Sequence, residues 1–123
     1  MQRGLAARLG EVDLFRGLDE DTRERVVSGG ATITYRPGQV IVEQGRVDRN
    51  LYLILDGDVV VEVNGNAVGT KSDGDYFGEM ALLDGSPRSA TVRAGDDGAK
   101  AYTISALTLE PILRNADVMR QLL

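Results

Sequence analysis

The chain has 123 residues, a formal net charge of −5, and neither cysteine nor histidine. This length suits one domain with its own core, and the acidic balance argues against a nucleic-acid surface, because such surfaces depend on clustered lysine and arginine. The absence of cysteine and histidine excludes disulfides, thiolate chemistry, histidine-ligated metal centres and catalytic triads that need imidazole.

The N-terminal segment is predicted to be helical. Leu5, Ala6 and Leu9 lie at helical spacing, and Asp19 is a good N-cap for a second helix. We expect Gly29-Gly30 to end that helix in a left-handed conformation. No apolar stretch here or later is long enough for a signal sequence or a membrane span, so we expect a cytoplasmic chain with no membrane partner.

From Ala31 onward the sequence changes to short β-prone segments separated by turn residues. Asn64-Gly65 between two such segments predicts a type I′ hairpin turn, which needs positive φ at both positions. We expect Asp56-Gly57 and Gly95–Gly98 to separate strands as well. The succession of about eight short strands indicates a β-sandwich or roll. The predicted strands include Thr32–Tyr35, Val40–Glu43, Leu51–Leu55, Val59–Val63, Ala67–Lys71, Thr91–Ala94 and Ala99–Ile104.

The C-terminal segment returns to a helical pattern. Ser105 is a reasonable N-cap, and Pro111 fits the helix only if it lies in the first turn. A further helix is expected to begin within Asp117–Leu123. One apolar face is predicted to consist of Leu107, Leu109, Ile112 and Leu113.

The strongest chemical signal lies in Tyr76–Ala94. Gly78-Glu79 leads into the apolar run Met80–Leu83, and a polar loop then leads to Pro87-Arg88. Glycine lets the main chain approach a ligand, a helical turn that starts near it points N–H groups outward, and a guanidinium can complete a pocket for phosphate. In an acidic protein such an anion site must be local.

This segment resembles the phosphate-binding cassette of the cyclic nucleotide-binding domain family. The resemblance extends over Leu14–Leu113 and implies a mainly β fold: an antiparallel β-roll or jelly roll (double-stranded β-helix), with flanking N- and C-terminal helices and a short cassette helix. We expect one domain over residues 1–123, with a helical segment at 1–30, the roll at 31–104 and a helical segment at 105–123. The lid helix of the family would be truncated or absent. The matching motifs are Phe77-Gly78-Glu79, Ala81-Leu82, Pro87–Val92, Tyr35–Gly38, Glu43–Gly45 and Leu51–Leu55.

The resemblance also assigns ligand contacts. Gly78 and Glu79 would bind the ribose, with Glu79 accepting the 2′-hydroxyl, and Arg88 would pair with the phosphate. Main-chain N–H groups of Ser89 and Ala90 would assist Arg88. The positions that match the purine contacts of the family are Val61, Val68 and Met80.

The implied function is a non-enzymatic regulatory module that binds a 3′,5′-cyclic nucleotide and needs no cofactor or metal. We favour cAMP over cGMP, although a Ser89 hydroxyl able to bond a guanine amino group leaves cGMP open. An output domain or partner protein beyond Leu123 would receive the signal, and a homodimer is possible.

Two other classes of function remain open. A degenerate member of the family would act as a ligand-free interaction or dimerisation module. A cupin-like metal enzyme would need histidines, so its remaining form is a carboxylate set of Asp73, Asp75 and Glu79. Ser72–Asp75 is better interpreted as a turn ahead of the cassette.

Overall fold

Strands dominate the fold. The computed structural model describes residues 4, 5, 8, 15–78 and 85–113. Most of the predicted first helix, the cassette helix and the helix expected from Asp117 lie outside these residues. The defined elements are α1 (Glu20–Ser28), β1 (Ala31–Tyr35), β2 (Val40–Val42), β3 (Asn50–Val63), β4 (Asn66–Ser72), β5 (Tyr76–Phe77), β6 (Thr91–Ser105) and α2 (Ala106–Leu113).

The strands join in one sheet with the order β1-β6-β3-β4, and β2 and β5 pair with β6 and β3. The β2/β6, β3/β4 and β3/β5 pairs are antiparallel. The prediction of a mainly antiparallel β fold is therefore confirmed. None of the helices in the described ranges is long and apolar enough to cross a bilayer.

The chain divides into two compact units. One combines the terminal segments Met1–Ala31 and Ile104–Leu123, and the other is Thr32–Thr103. The single domain over residues 1–123 stays a prediction. The larger unit contains the core that supports the candidate site, which comprises Tyr35, Val42, Tyr52, Ile54, Val59, Phe77, Val92, Ala94, Ala99 and Ala101.

Helix α1 begins as expected and ends differently. The Asp19 carboxylate accepts a hydrogen bond from the Thr22 N–H at 2.8 Å, which confirms the N-cap. The prediction that the helix ends in a left-handed conformation is wrong, because Gly29 has φ −90° and ψ −4°. A Cβ at Gly29 would lie 2.6 Å from Thr108 Cγ2, so this glycine serves the close approach of α1 and α2.

Helix α2 corrects two details of the C-terminal prediction. Ser105 Oγ accepts from the Thr108 N–H at 3.3 Å, as expected of an N-cap. Pro111 nevertheless lies inside the helix, beyond its first turn. Leu107 is 87% exposed whereas Leu109 is fully buried, because helical residues two apart point to nearly opposite sides.

Two predicted strand breaks are bends within continuous strands. β3 runs through Asp56-Gly57 and β6 runs through Gly95–Gly98, so the described residues form six strands and not about eight. Gly57 and Gly98 have φ of +82° and +76°. A Cβ on Gly57 would collide with the Gly98 carbonyl, so these glycines let two bent strands pass closely.

The hairpin between β3 and β4 has the predicted turn. Asn64 and Gly65 have φ of +53° and +83°, which are the signs that a type I′ turn requires. The register of the pair shifts between Val61 and Glu62, so a β-bulge precedes the tip of the hairpin. Ser72–Asp75 also forms the expected turn, with the Asp75 N–H donating to the Ser72 carbonyl at 2.8 Å.

Candidate anion-binding site

Arg88, the predicted phosphate ligand, is only 8% exposed. Its Nη2 donates to the Asn50 carbonyl at 2.6 Å and to Asp48 Oδ1 at 3.1 Å. The guanidinium carbon lies 5.7 Å from the centroid of the Tyr52 ring, within the range of a cation–π contact. The strand β3 and the loop before it therefore hold the guanidinium in one orientation.

The main chain of Arg88 is also held. Its N–H donates to the Arg46 carbonyl at 2.8 Å, and its carbonyl accepts from the Gly45 N–H at 2.8 Å. The main chain of Arg88 is thus held by the loop between β2 and β3, and its guanidinium is held by that loop and by the start of β3. Because backbone and guanidinium are constrained together, little rotamer freedom remains to be lost when a ligand binds.

Asp48 is the carboxylate partner of Arg88, and it has neutral donors as well. Its Oδ1 accepts from the Asn50 N–H at 3.0 Å, and its Oδ2 accepts from the Tyr52 hydroxyl at 3.0 Å. The Tyr52 ring stacks on Phe77, with centroids 4.8 Å apart and an interplanar angle of 9°. This stack joins the Arg88 environment to the residue that precedes Gly78.

Position 78 requires glycine for two reasons: the backbone conformation there and the lack of room for a side chain. Its φ is +97°, a region that residues with a Cβ rarely adopt. A Cβ there would lie 2.5 Å from the Asn50 carbonyl oxygen and 2.6 Å from Arg88 Nη1. The sequence predicted a glycine that lets a ligand approach, and the described contacts show that Arg88 itself occupies part of that space.

The guanidinium keeps hydrogen-bonding capacity. Arg88 Nε is buried and has no hydrogen-bond partner among the residues that the structure describes. An unsatisfied buried donor is unfavourable, so the site favours an additional acceptor. The same ranges contain no cluster of His, Cys, Asp or Glu arranged to hold a metal ion.

The structure describes four of the six remaining predicted contacts. Ser89 is exposed and Ala90 is half-buried, and both lie between Arg88 and β6. Val61 is half-buried against the core, whereas Val68 on the neighbouring strand is 63% exposed. Glu79 and Met80 lie outside the described residues, so the structure brings Gly78 and Arg88 together and leaves their ribose and base partners untested.

Sequence reasoning missed the residues that hold Arg88. Asp48 and Asn50 precede a predicted strand, and Tyr52 lies within it. The Asp48–Arg88 contact joins positions 40 residues apart, so no local spacing reports it. The available signal was weak: two polar residues lie directly before an apolar strand that the family motif includes.

Tyr52 predicts a pH dependence of stability. Burial, with a smaller contribution from the Asp48 charge, raises the pKa of Tyr52 from 10.0 to about 12. Between pH 10.0 and about 12 the folded protein therefore binds more protons than the unfolded chain. The contribution of Tyr52 to the free energy of unfolding is complete below pH 10.0 and is lost as the pH rises through about 12. We expect Tyr52→Phe to flatten that loss in urea unfolding measured across a pH series.

Tyr35→Phe is the matched comparison, because burial and then the Asp48 charge also raise the pKa of Tyr35. Tyr52→Phe keeps the ring that stacks on Phe77 and removes the hydroxyl that donates to Asp48. An alkaline decline in stability that is identical in wild type and Tyr52→Phe would contradict the assignment of this decline to Tyr52.

Comparisons with known proteins identify the class to which this fold belongs. Residues 32–116 match the family model of the cyclic nucleotide-binding domain. The chain belongs to the cyclic nucleotide-binding domain family, which confirms the resemblance found in the cassette. The cAMP-dependent protein kinase regulatory subunit of Schizosaccharomyces pombe is 38% identical over 114 residues, covering 91% of this chain and 27% of that protein. The chain spans about a quarter of the length of the curated relatives that it matches.

Solved structures agree on the fold. The regulatory domain of Toxoplasma gondii PKA, co-crystallised with cAMP, superposes with a TM-score of 0.77 at 26% identity, covering 95% of this chain and 47% of that one. The N-terminal domain of a transcriptional regulator from Streptomyces coelicolor A3(2) gives a TM-score of 0.83 at 23% identity, covering 94% and 86%. The β-roll predicted from the sequence is confirmed.

Proposed function

We propose that this chain is a non-enzymatic regulatory module that binds a 3′,5′-cyclic nucleotide, with cAMP favoured over cGMP. The observation that carries the proposal is the buried Arg88 guanidinium, which lies against Gly78 inside the cassette segment of a cyclic nucleotide-binding domain. The preference for cAMP rests on the likeness to cAMP-dependent protein kinase regulatory subunits and to a regulatory domain co-crystallised with cAMP.

The arrangement around Arg88 suits a singly charged phosphate. Asp48 already pairs with Nη2, but its carboxylate also accepts from the Asn50 N–H and the Tyr52 hydroxyl. Because these neutral donors also bond the Asp48 carboxylate, the guanidinium is not its only partner and can interact with a second anion. Arg88 offers further N–H donors, and charge-assisted bonds in a partly dry site are stronger than those of an exposed ion pair.

The other contacts of the ligand are part of the same proposal. Gly78 and Glu79 would hold the ribose, with the carboxylate accepting the 2′-hydroxyl. Main-chain donors of Ser89 and Ala90 would complete the phosphate cradle. The purine would lie against the hairpin of β3 and β4, in contact with Val61, Val68 and Met80.

A regulatory output follows only from differential binding. A ligand shifts a conformational equilibrium by no more than its difference in affinity for the two states. Because the chain spans about a quarter of its curated relatives, the output is assigned to an additional domain or partner protein. The cyclic nucleotide would act by stabilising one arrangement of the cassette.

A second candidate is a ligand-free interaction module. The Asp48–Arg88 pair favours it, because a buried arginine that already has a carboxylate partner has a structural role without a ligand. Removal of either partner would then lower stability, and addition of nucleotide would have no effect.

Titration calorimetry separates the two candidates. We expect saturable binding of cAMP, weaker binding of cGMP, and little binding of 5′-AMP, which carries the same base and ribose with an open, more highly charged phosphate. The absence of both heat and thermal stabilisation with either cyclic nucleotide at millimolar concentration would establish the ligand-free module instead.

A further inference from the structure

We propose that Gln44 is a positioning residue that joins the tip of the β3–β4 hairpin to the end of the cassette, and that it thereby sets how much the base contributes to cyclic-nucleotide affinity. This inference rests on the proposed function. It concerns a residue that belongs to the turn between β2 and β3 and that makes none of the ligand contacts proposed above.

Gln44 makes three hydrogen bonds to distant parts of the chain. Its main-chain N–H donates to Thr91 Oγ1 at 3.0 Å, across 47 residues. Its side-chain amide forms a reciprocal pair with Asn64, across 20 residues: Nε2 donates to Asn64 Oδ1 at 3.1 Å, and Oε1 accepts from the Asn64 N–H at 2.8 Å. One residue therefore bonds to both segments with main-chain and side-chain groups.

The two segments would carry different parts of the ligand. Thr91 directly follows Ala90 and begins β6, so it fixes the end of the phosphate cradle. Asn64 opens the type I′ turn of the hairpin on which Val61 and Val68 lie. The neighbour of Gln44, Gly45, donates its N–H to the Arg88 carbonyl at 2.8 Å. Gln44 thus connects the proposed phosphate end to the proposed base wall.

The hairpin needs such a connection. β4 is last in the strand order and pairs with β3 alone within the described residues, so one of its sides has no strand neighbour there. The register also shifts between Val61 and Glu62, just before the tip. A bulge bends and twists its strand locally, so regular pairing alone does not determine where the tip lies. The amide pair with Asn64 supplies that constraint.

The prediction is a selective loss of base-dependent affinity. We expect Gln44→Ala to weaken cAMP binding roughly three- to tenfold, in keeping with the loss of exposed hydrogen bonds. Binding of ribose 3′,5′-cyclic phosphate, which has the same sugar and phosphate but no base, should change by less than about twofold because the Thr91 bond uses the main chain. Competition against a fluorescent cyclic nucleotide measures both affinities.

Asn64→Gly is the matched second variant. Glycine retains the positive φ that the turn requires and removes only the side-chain acceptor. Asn64→Gly should reproduce the selective loss of cAMP affinity to a smaller degree. The double variant should bind cAMP no more weakly than Gln44→Ala, because the effects of two substitutions that remove the same interaction do not add. Val47→Ala, a change at a 66% exposed side chain of the same loop, should leave both affinities unchanged.

Three kinds of result would contradict the role of Gln44. Equal losses for cAMP and for the base-free compound, or no loss for either, would overturn the positioning role and leave the proposed function standing. Additive losses in the double variant would overturn the coupling through Asn64. A wild-type chain that binds neither compound would remove the proposed function, and this inference with it.

Discussion

Arg88→Ala is expected to weaken cAMP binding by about 100-fold or more, the largest effect of any single substitution in the site. The reason is the loss of at least two charge-assisted hydrogen bonds, each worth about 1.5–3 kcal/mol, where about 1.4 kcal/mol corresponds to a tenfold change in affinity. Arg88→Lys should recover only part of this loss, because an ammonium lacks the planar fork of the guanidinium. Calorimetry on the three proteins gives the comparison.

Two controls separate binding from folding. Arg36→Ala removes the same charge from an exposed position in the turn between β1 and β2 and should leave affinity within about twofold, since screened surface charges contribute little. Urea unfolding of Arg88→Ala reports whether the unpaired Asp48 lowers stability. Unchanged cAMP affinity in a folded Arg88→Ala protein would remove Arg88 from the binding site.

Gly78→Ala is expected to lower the free energy of unfolding by about 2–4 kcal/mol, because a residue with a Cβ is strained at positive φ and the added atom overpacks the site. The backbone conformation has φ of +97°, and the new methyl group would lie 2.6 Å from Arg88 Nη1. The guanidinium must move to accept it, so cAMP affinity should fall along with stability. Urea unfolding and calorimetry measure the two effects.

Gly74→Ala isolates the backbone contribution. Gly74 has φ of +90°, and a Cβ there would meet no described atom within 4 Å. Gly74→Ala should lower the free energy of unfolding by about 1–2 kcal/mol, which is the strain of a left-handed conformation alone. Equal destabilisation by the two alanine variants would show that Arg88 and Asn50 do not crowd Gly78, and would contradict the geometry on which the site is built.

Locally encoded features were predicted well. Asn64-Gly65 marks its turn because the conformational preferences of those two residues suffice, and Asp19 caps α1 because the cap bond spans three residues. The cassette was predicted for a related reason, and its ligand contacts stay a prediction: Gly78 and Arg88 lie in one short stretch, so their order and spacing are visible in the sequence. Family membership and the β-roll follow from such stretches.

Predictions failed where one residue type serves several structural purposes. Glycine indicates a turn, a helix end or a close contact equally well. Gly57 therefore suggested a strand break where it permits close packing against the Gly98 carbonyl, and Gly29 suggested a left-handed helix end where it makes room for Thr108. Leu107 was misplaced because helical residues two apart lie on nearly opposite sides, so Leu107 and Leu109 do not share one apolar face.

From its residue pattern alone, the sequence predicted the β-rich class and a cassette segment in which Gly78 and Arg88 are candidate ligand contacts. The surroundings of Arg88 are visible only in the folded chain, and they consist of the Asp48 carboxylate, the Asn50 carbonyl and the Tyr52 ring. Likewise, only the folded chain joins Gln44 to Asn64 and Thr91. Turns and caps depend on neighbouring residues, whereas these contacts depend on the register of strands that are far apart in the chain.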